Sequence, residues 1–269
     1  MSLLLLLNFN AIIFIVGVVM KKKKRKMSIV ILTILSMFGI GGYYSKDIVK
    51  FVNDNITNTI SFNNPIKFKH SYNIDNLPKY SGEDYIVINN NEPLFDEKYI
   101  NTKSFEKYSD LDSLGRTGLA LVNIGKDLMP TEERGSIGMI KPSGWHTVKY
   151  NNIDGKYLYN RCHLIGYQLT GENANEKNLI TCTRHMNTVS MLKFENMVSS
   201  YIKETNNHVL YRVTPIYDGD NLLASGVQME ALSIEDNGEG IKFNIFVYNI
   251  QDGIEIDYRT GESKLIKNS

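Results

Sequence analysis

The hydrophobic and polar positions change period several times along the chain, and each change marks an element. Residues 84–89 carry Tyr85, Ile86, Val87 and Ile88 in a row, and 119–125 form an apolar run closed by Gly118 and Gly125, so both predict strands. Residues 126–146 hold Pro130, Gly135, Gly138, Pro142 and Gly144 and predict a long shaped loop, of a kind that is often functional. Residues 157–165 predict another strand, and 171–177 a polar loop. From Asn187 to Glu204 the period becomes helical, with Phe194, Met197, Val198, Tyr201 and Ile202 on one side. Three strand-like runs follow at 209–214, 222–232 and 242–250, the last setting Phe243, Ile245 and Val247 against Lys242, Asn244 and Phe246. Mostly consecutive strands around one good helix predict an α+β domain on an antiparallel β-sheet, starting near residue 75.

The N-terminal part follows a different pattern. Residues 3–19 are apolar apart from Asn8 and Asn10, residues 21–26 are all Lys or Arg, and 27–44 form an 18-residue apolar run. A basic run followed by an apolar run predicts a signal or membrane anchor over 1–45, with the lysines on the cytoplasmic side. No clear cleavage site follows, which favours an uncleaved anchor over a cleaved signal. Met20 resembles the start of an exported protein, so residues 1–19 are read as a start-site artefact; the rival reading is a two-span hairpin. Residues 46–75, rich in Asn, Lys and Ser, are expected to be a linker, leaving 76–269 as the catalytic domain.

Charge sharpens this division. The net charge of +1 conceals a +6 block in residues 1–26; the remainder has 24 basic and 29 acidic residues, a net of −5. The domain is therefore not a bulk polycation, and binding to nucleic acid would need a local basic groove. Apolar content of 42% is enough for a sizeable core. The two cysteines, Cys162 and Cys182, suit one disulfide in an exported protein or two free thiols; their spacing does not suit a zinc site.

The candidate chemistry lies in 36 residues. Asn160-Arg161-Cys162-His163 is followed by Asn178-Leu179-Ile180-Thr181, then by Asn187 and Glu195. On a strand, Arg161 and His163 share a face, placing a phosphate clamp beside a base that is neutral near pH 7. Asn187 offers a carbonyl oxygen to a hard cation, and Glu195, eight residues on, stands on a broadly shared helix side from which it can hold a metal-bound water. Taken alone, His163 reads as a strand histidine, Asn187 as a helix cap and Glu195 as a solvated residue; together they suit metal-assisted phosphodiester cleavage. Asn178 is expected to fix its loop by side-chain to backbone bonds. Arg134, Lys141, Arg184 and Lys193 are candidates for the phosphate groove, although each singly reads as a surface charge. For His185 and Trp145 a packing role is the default.

These motifs resemble the DNA/RNA non-specific endonuclease family with its ββα-metal (His-Me finger) core, and in organisation the membrane-anchored DNA-entry nucleases of Gram-positive bacteria. The family signature Asp-Arg-Gly-His stands here as Asn160-Arg161-Cys162-His163. The Asn-Leu segment is Asn178-Leu179, followed at the family spacing by Asn187 and Glu195. Asp112-Ser113-Leu114-Gly115-Arg116 and Pro142-Ser143-Gly144-Trp145 also look like elements of this group. The resemblance covers roughly residues 80–262 and implies His163 as general base. It further implies Asn187 as the direct ligand of Mg²⁺ (Mn²⁺ a substitute), Glu195 holding a metal-bound water, and Arg161 at the phosphate. Asn160 and Cys162 depart from the signature; on a strand Cys162 points away from Arg161 and His163.

The expected function is a metal-dependent, sequence-non-specific endonuclease of DNA and RNA outside the cell membrane, leaving 5′-phosphate ends. The rival is a catalytically weak, membrane-tethered nucleic-acid-binding protein of a DNA-uptake system, motivated by Asn160 and Cys162. An unrelated exported hydrolase is disfavoured, because no Gly-x-Ser-x-Gly or His-Glu-x-x-His motif is present.

Overall fold

A computed structural model describes residues 77–266. The expected anchor (1–45) and the whole of the expected linker (46–75) lie outside the described residues. Among the described residues no helix is long and apolar enough to cross a membrane.

The frame is a six-stranded antiparallel sheet in the order β1-β8-β7-β6-β3-β2. Its strands are β1 (Tyr85–Val87), β2 (Phe105–Tyr108), β3 (Ala120–Ile124), β6 (Val209–Ile216), β7 (Gly226–Ser233) and β8 (Lys242–Tyr248). A separate two-stranded ladder joins β4 (Tyr159–His163) to β5 (Leu179–Thr183). After it come a short helix α1 (Tyr167–Thr170, between the two strands in sequence) and the long helix α2 (Met191–Thr205). A small hairpin, β9 (Ile254–Ile256) with β10 (Ser263–Leu265), closes the chain.

Packing explains how these parts meet. The main core joins one face of the sheet (Val122, Tyr211, Met229, Phe243 and Ile245) to Phe194, Val198 and Ile202 of α2 and to Cys162, Ile180 and Cys182 of the β4–β5 ladder. Burying those apolar faces holds the ladder and helix against the sheet at about 25 cal/mol per Å² of apolar surface. On the sheet's other face, Phe95, Tyr99 and Phe105 cover Leu121 and Leu210. There Arg212 and Glu230, 2% and 0% exposed, form an ion pair, with Nε to Oε2 at 2.6 Å. Glu230 also accepts from the Leu94 amide and Arg212 donates to the Leu94 carbonyl, so the pair pins the covering segment by its backbone.

The elements expected at 84–89, 119–125, 157–165, 209–214 and 242–250 all contain strands. Two expectations need correction. The strand expected from Leu222 begins only at Gly226, because Leu222 and Leu223 turn aside to bond Arg259 and Tyr258 and pack in a second cluster with Trp145, Tyr159 and Ile254. The helix expected from Asn187 does not start as an α-helix. Met186–Ser190 is a π-helical turn, in which the Met191 amide reaches back five residues to the Met186 carbonyl. β2 was not anticipated: Phe-Glu-Lys-Tyr is a short, half-exposed edge strand with too little apolar alternation to register.

Cys162 and Cys182 form a disulfide, with Cα atoms 5.8 Å apart. They stand diagonally on β4 and β5, where Asn160 opposes Cys182 and Cys162 opposes Ile180. Both are fully buried on the core side of the ladder. Crosslinking residues 20 apart removes loop entropy from the unfolded chain worth about 3 kcal/mol. Reduction is therefore expected to lower the unfolding free energy by about that amount. Urea titrations with and without dithiothreitol measure it, and coincident midpoints, with reduction confirmed by thiol counting, would contradict it.

Candidate active site

The site grows from the face of the β4–β5 ladder turned away from the core. Since strand side chains alternate, Cys162 enters the core while Arg161 and His163 point the other way, with Thr181 directly opposite Arg161. The backbone just past His163 is clamped by Asn178, which is fully buried. Its Oδ1 accepts from the Ile165 amide at 2.9 Å, and its Nδ2 donates to the Ile165 carbonyl at 3.0 Å. The Leu164 amide donates to the Asn178 carbonyl at 2.8 Å. A side chain that meets both polar groups of one residue leaves the strand end little freedom.

His163 is 6% exposed. Its Nε2 lies 2.7 Å from the backbone carbonyl oxygen of Asn173. A carbonyl only accepts, so Nε2 carries the proton and Nδ1 keeps its lone pair. Nδ1 lies 3.3 Å from Nη2 of Arg134. Burial lowers the imidazole pKa to about 4, the Arg134 charge acts in the same direction, and the bond to Asn173 opposes both. The ring is thus neutral across the physiological range, in one tautomer.

Glu195 sits on α2 and is 8% exposed. Burial raises its pKa to about 7, offset in part by the Gln168 side chain and by Arg134. Its carboxylate rests against Gly166, three residues past His163; a Cβ at that glycine would come within 2.7 Å of Oε2. Glycine is therefore required for the carboxylate to reach the end of β4. Arg134 acts electrostatically on both His163 and Glu195.

Asn187 lies inside the π-helical turn and does not cap the helix, whose first turn has no side-chain cap. An i→i+5 turn advances less per residue than an α turn, so it narrows the angular offset between Asn187 and Glu195 that α spacing would give. No side-chain hydrogen bond engages Asn187 among the described residues, leaving its amide oxygen available to a cation. No three His, Cys, Asp or Glu side chains converge on a metal position among the described residues. The donors that the π-helical turn and α2 offer are the amide oxygen of Asn187 and, eight residues along, the carboxylate of Glu195. That fits a hard ion which keeps most of its waters, such as Mg²⁺, and does not fit a structural zinc cage.

The expected groove residues have different surroundings. Arg161 donates from Nη2 to the Gly138 carbonyl at 2.8 Å and from Nε to the Ile140 carbonyl. Its guanidinium also stacks 3.9 Å from the Trp145 ring centroid. Its observed bonds therefore hold the 138–145 loop. Lys141 follows Ile140 on that loop and is exposed. Arg184 is paired with Asp154 at 2.7 Å, away from these residues on the 150–156 turn. Asn160 is half-buried on β4, opposite Cys182. His185 pairs with Asp84 at 2.7 Å, and Lys193 reaches the Tyr85 hydroxyl at 3.3 Å. Sequence reasoning missed the Asn173 carbonyl, a backbone group with no residue-type signal. It also missed Gly166, whose only hint is a glycine just past the histidine strand.

Known proteins are similar to this chain in sequence and in fold. The model of the DNA/RNA non-specific endonuclease family matches residues 97–234. A deoxyribonuclease of Streptococcus dysgalactiae subsp. equisimilis is 34% identical over 118 residues, covering 42% of this chain but only 34% of its own length. The chain thus spans about a third of that relative. Among solved structures, magnesium-bound NucA of Streptococcus agalactiae superposes with a TM-score of 0.62 at 24% identity, covering 80% of this chain and 96% of its own. Zinc-bound Sda1 nuclease gives 0.56 at 26% identity, covering 69% and 97%. The fold is the ββα-metal nuclease fold, with β4, β5 and α2 as its ββα unit.

The two shifted groups act oppositely on stability. The depressed His163 pKa makes stability fall as pH drops from 6.5 through about 4. The raised Glu195 pKa makes the folded state bind the extra proton between 4.5 and about 7, so stability falls as pH rises through that window. Above it, the buried charge costs on the order of 3 kcal/mol. Glu195→Gln is expected to stabilise the metal-free protein by that order at pH 8 and by little near pH 4. Thermal unfolding in EDTA at both pH values is the check, and equal stability of the two proteins at pH 8 would rule out a buried carboxylate charge.

Proposed function

Because this chain belongs to the DNA/RNA non-specific endonuclease family, we propose that it is a divalent-metal-dependent endonuclease that hydrolyses phosphodiester bonds of DNA, and also of RNA, with little sequence preference. The observation that carries this reading is the single-tautomer His163. Its Nε2 is held by the Asn173 carbonyl and its Nδ1 lone pair is kept unprotonated by burial. A neutral imidazole whose lone pair is fixed on one known nitrogen is the requirement for a general base acting on water.

In this reading Nδ1 takes a proton from the attacking water as its oxygen bonds to phosphorus. The bond to the 3′ oxygen breaks, that oxygen takes a proton from solvent water, and His163 returns its own proton to solvent, leaving a 5′-phosphate and a 3′-hydroxyl. Asn187 would hold the ion, and Glu195 would orient one of the ion's waters. When bound, the ion supplies Lewis-acid stabilisation of charge on the phosphate and leaving oxygen. Magnesium in NucA and zinc in Sda1 nuclease support a divalent ion here; Mg²⁺ is the ion proposed, with Mn²⁺ as a substitute. Arg134 is the cation nearest the base and is assigned to the phosphate charge. Arg161 contributes by holding the 138–145 loop, on which Lys141 is the exposed cation. Reading the nucleic acid through backbone-directed groups gives little base preference.

The N-terminal basic and apolar runs support a place at the cell membrane, with the catalytic domain (76–269) outside it and the N-terminal segment as tether. A cleaved signal would make the same domain a secreted one.

Plasmid cleavage by the full chain tests the proposal. Mg²⁺ is expected to support nicking and linearisation, EDTA to abolish them, and His163→Ala to lower the rate by about 10²–10⁴-fold while the fold persists. End-labelling of the products is expected to show 5′-phosphates. Full activity in His163→Ala would remove the histidine from its assigned role. Binding without cleavage under any divalent ion would favour a tethered nucleic-acid receptor.

A further inference from the structure

Both ring nitrogens of His163 are covered, and by two loops that touch each other. The 171–175 loop supplies the Asn173 carbonyl to Nε2, and the 131–136 loop supplies Nη2 of Arg134 to Nδ1. Between them, Gly135 packs against the Asn173 side chain so closely that a Cβ there would meet Nδ2 at 2.8 Å. The first loop residues are also tied to α1, where the Tyr167 hydroxyl donates to the Glu132 carbonyl at 2.8 Å. Together these contacts roof the imidazole over.

We propose that Arg134 masks the base in the substrate-free protein and is drawn off it by an incoming phosphodiester, so that Nδ1 becomes available only when there is a phosphate to attack. The inference rests on the assignment of His163 as the base. A guanidinium can only donate, and Nδ1 has one lone pair. While that lone pair accepts from Arg134 it cannot take a proton from water. A phosphate oxygen offers Arg134 a stronger partner than neutral imidazole, because the hydrogen bond is charge-assisted and can be bidentate. Residues 131–136 are exposed, and the side-chain hydrogen bond found for Arg134 is the one to His163, so little else holds its head in place. Arg134 is thus a gate on the base as well as a cation for the substrate.

The test uses the full chain labelled with ¹⁵N-histidine in EDTA, which prevents cleavage. The chain has five histidines: His146, His185 and His208 report on the fold, His163 reports on the gate, and His70 gives a fifth resonance that a His70→Gln variant assigns. The His163 Nδ1 resonance is expected downfield in Arg134→Ala relative to wild type, as for a lone pair that has lost its donor. Titrating wild type with oligothymidylate, with binding followed by Trp145 fluorescence, is expected to move Nδ1 toward the Arg134→Ala position. Acylation of His163 by diethyl pyrocarbonate, followed by mass spectrometry, is expected to be about tenfold faster in Arg134→Ala, the factor for losing one hydrogen bond from a charged donor. Gly135→Ala lifts the same loop without removing the guanidinium and is expected to move both readouts the same way. Identical Nδ1 positions in wild type and Arg134→Ala overturn the proposal, as does an Nδ1 that no oligothymidylate concentration moves. Failure of the nuclease assignment is a separate result, because it appears as absent cleavage in Mg²⁺ whatever the Nδ1 positions are.

Discussion

The site depends on one hydrogen bond, from His163 Nε2 to the backbone carbonyl of Asn173. It decides which nitrogen bears the proton, and so which can do base chemistry. It also fixes the ring plane, and with it what the other nitrogen faces. Because the acceptor is a backbone atom, its identity is insensitive to side-chain substitution at position 173, but its position depends on the whole 171–175 loop. That loop begins at Gly171, whose φ of 67° ends α1 in the left-handed conformation. The bond is therefore only as good as the short helix, the glycine that stops it, and the Asn178 clamp that holds the strand end.

Electrostatics adds a second constraint. His163 and Glu195 are both buried and both cost energy to charge, yet their shifts point in opposite directions on the pH axis. The histidine is held neutral and the glutamate is held near its midpoint at neutral pH. The Arg134 charge favours the carboxylate's charge and opposes the imidazolium's. A single cation thus pushes the two groups in opposite directions, toward an ionised glutamate and a neutral histidine.

Much of this was readable from the chain, for identifiable reasons. Arg161 and His163 share a face because strand geometry is periodic, and the burial of Cys162 behind them follows from the same period. The helix carrying Glu195 is marked by Phe194, Val198 and Ile202. The π turn under Asn187 was not readable, because nothing in Met-Asn-Thr-Val-Ser distinguishes an i→i+5 bond from an i→i+4 bond. Nor were the contacts of Arg161: nothing in the sequence shows that the Gly138 and Ile140 carbonyls approach its guanidinium, with Trp145 stacked beside it. Arg134 was one of several isolated basic residues on a long loop, and its place at the base is set by contacts 29 residues away in sequence.

The pentapeptide of β4 serves two masters, and this shapes how it can change over generations. Its core-facing position 162 answers to packing against Ile180 and Cys182, while 161 and 163 lie on the opposite, polar face. Substitutions on one face are nearly invisible to the other. A side chain at 162 can therefore be exchanged, and a crosslink to 182 can sit beneath the histidine, while the groups on the opposite face keep their places. Along this strand the anchor of the fold and the polar face above it are written into alternate residues, one position apart.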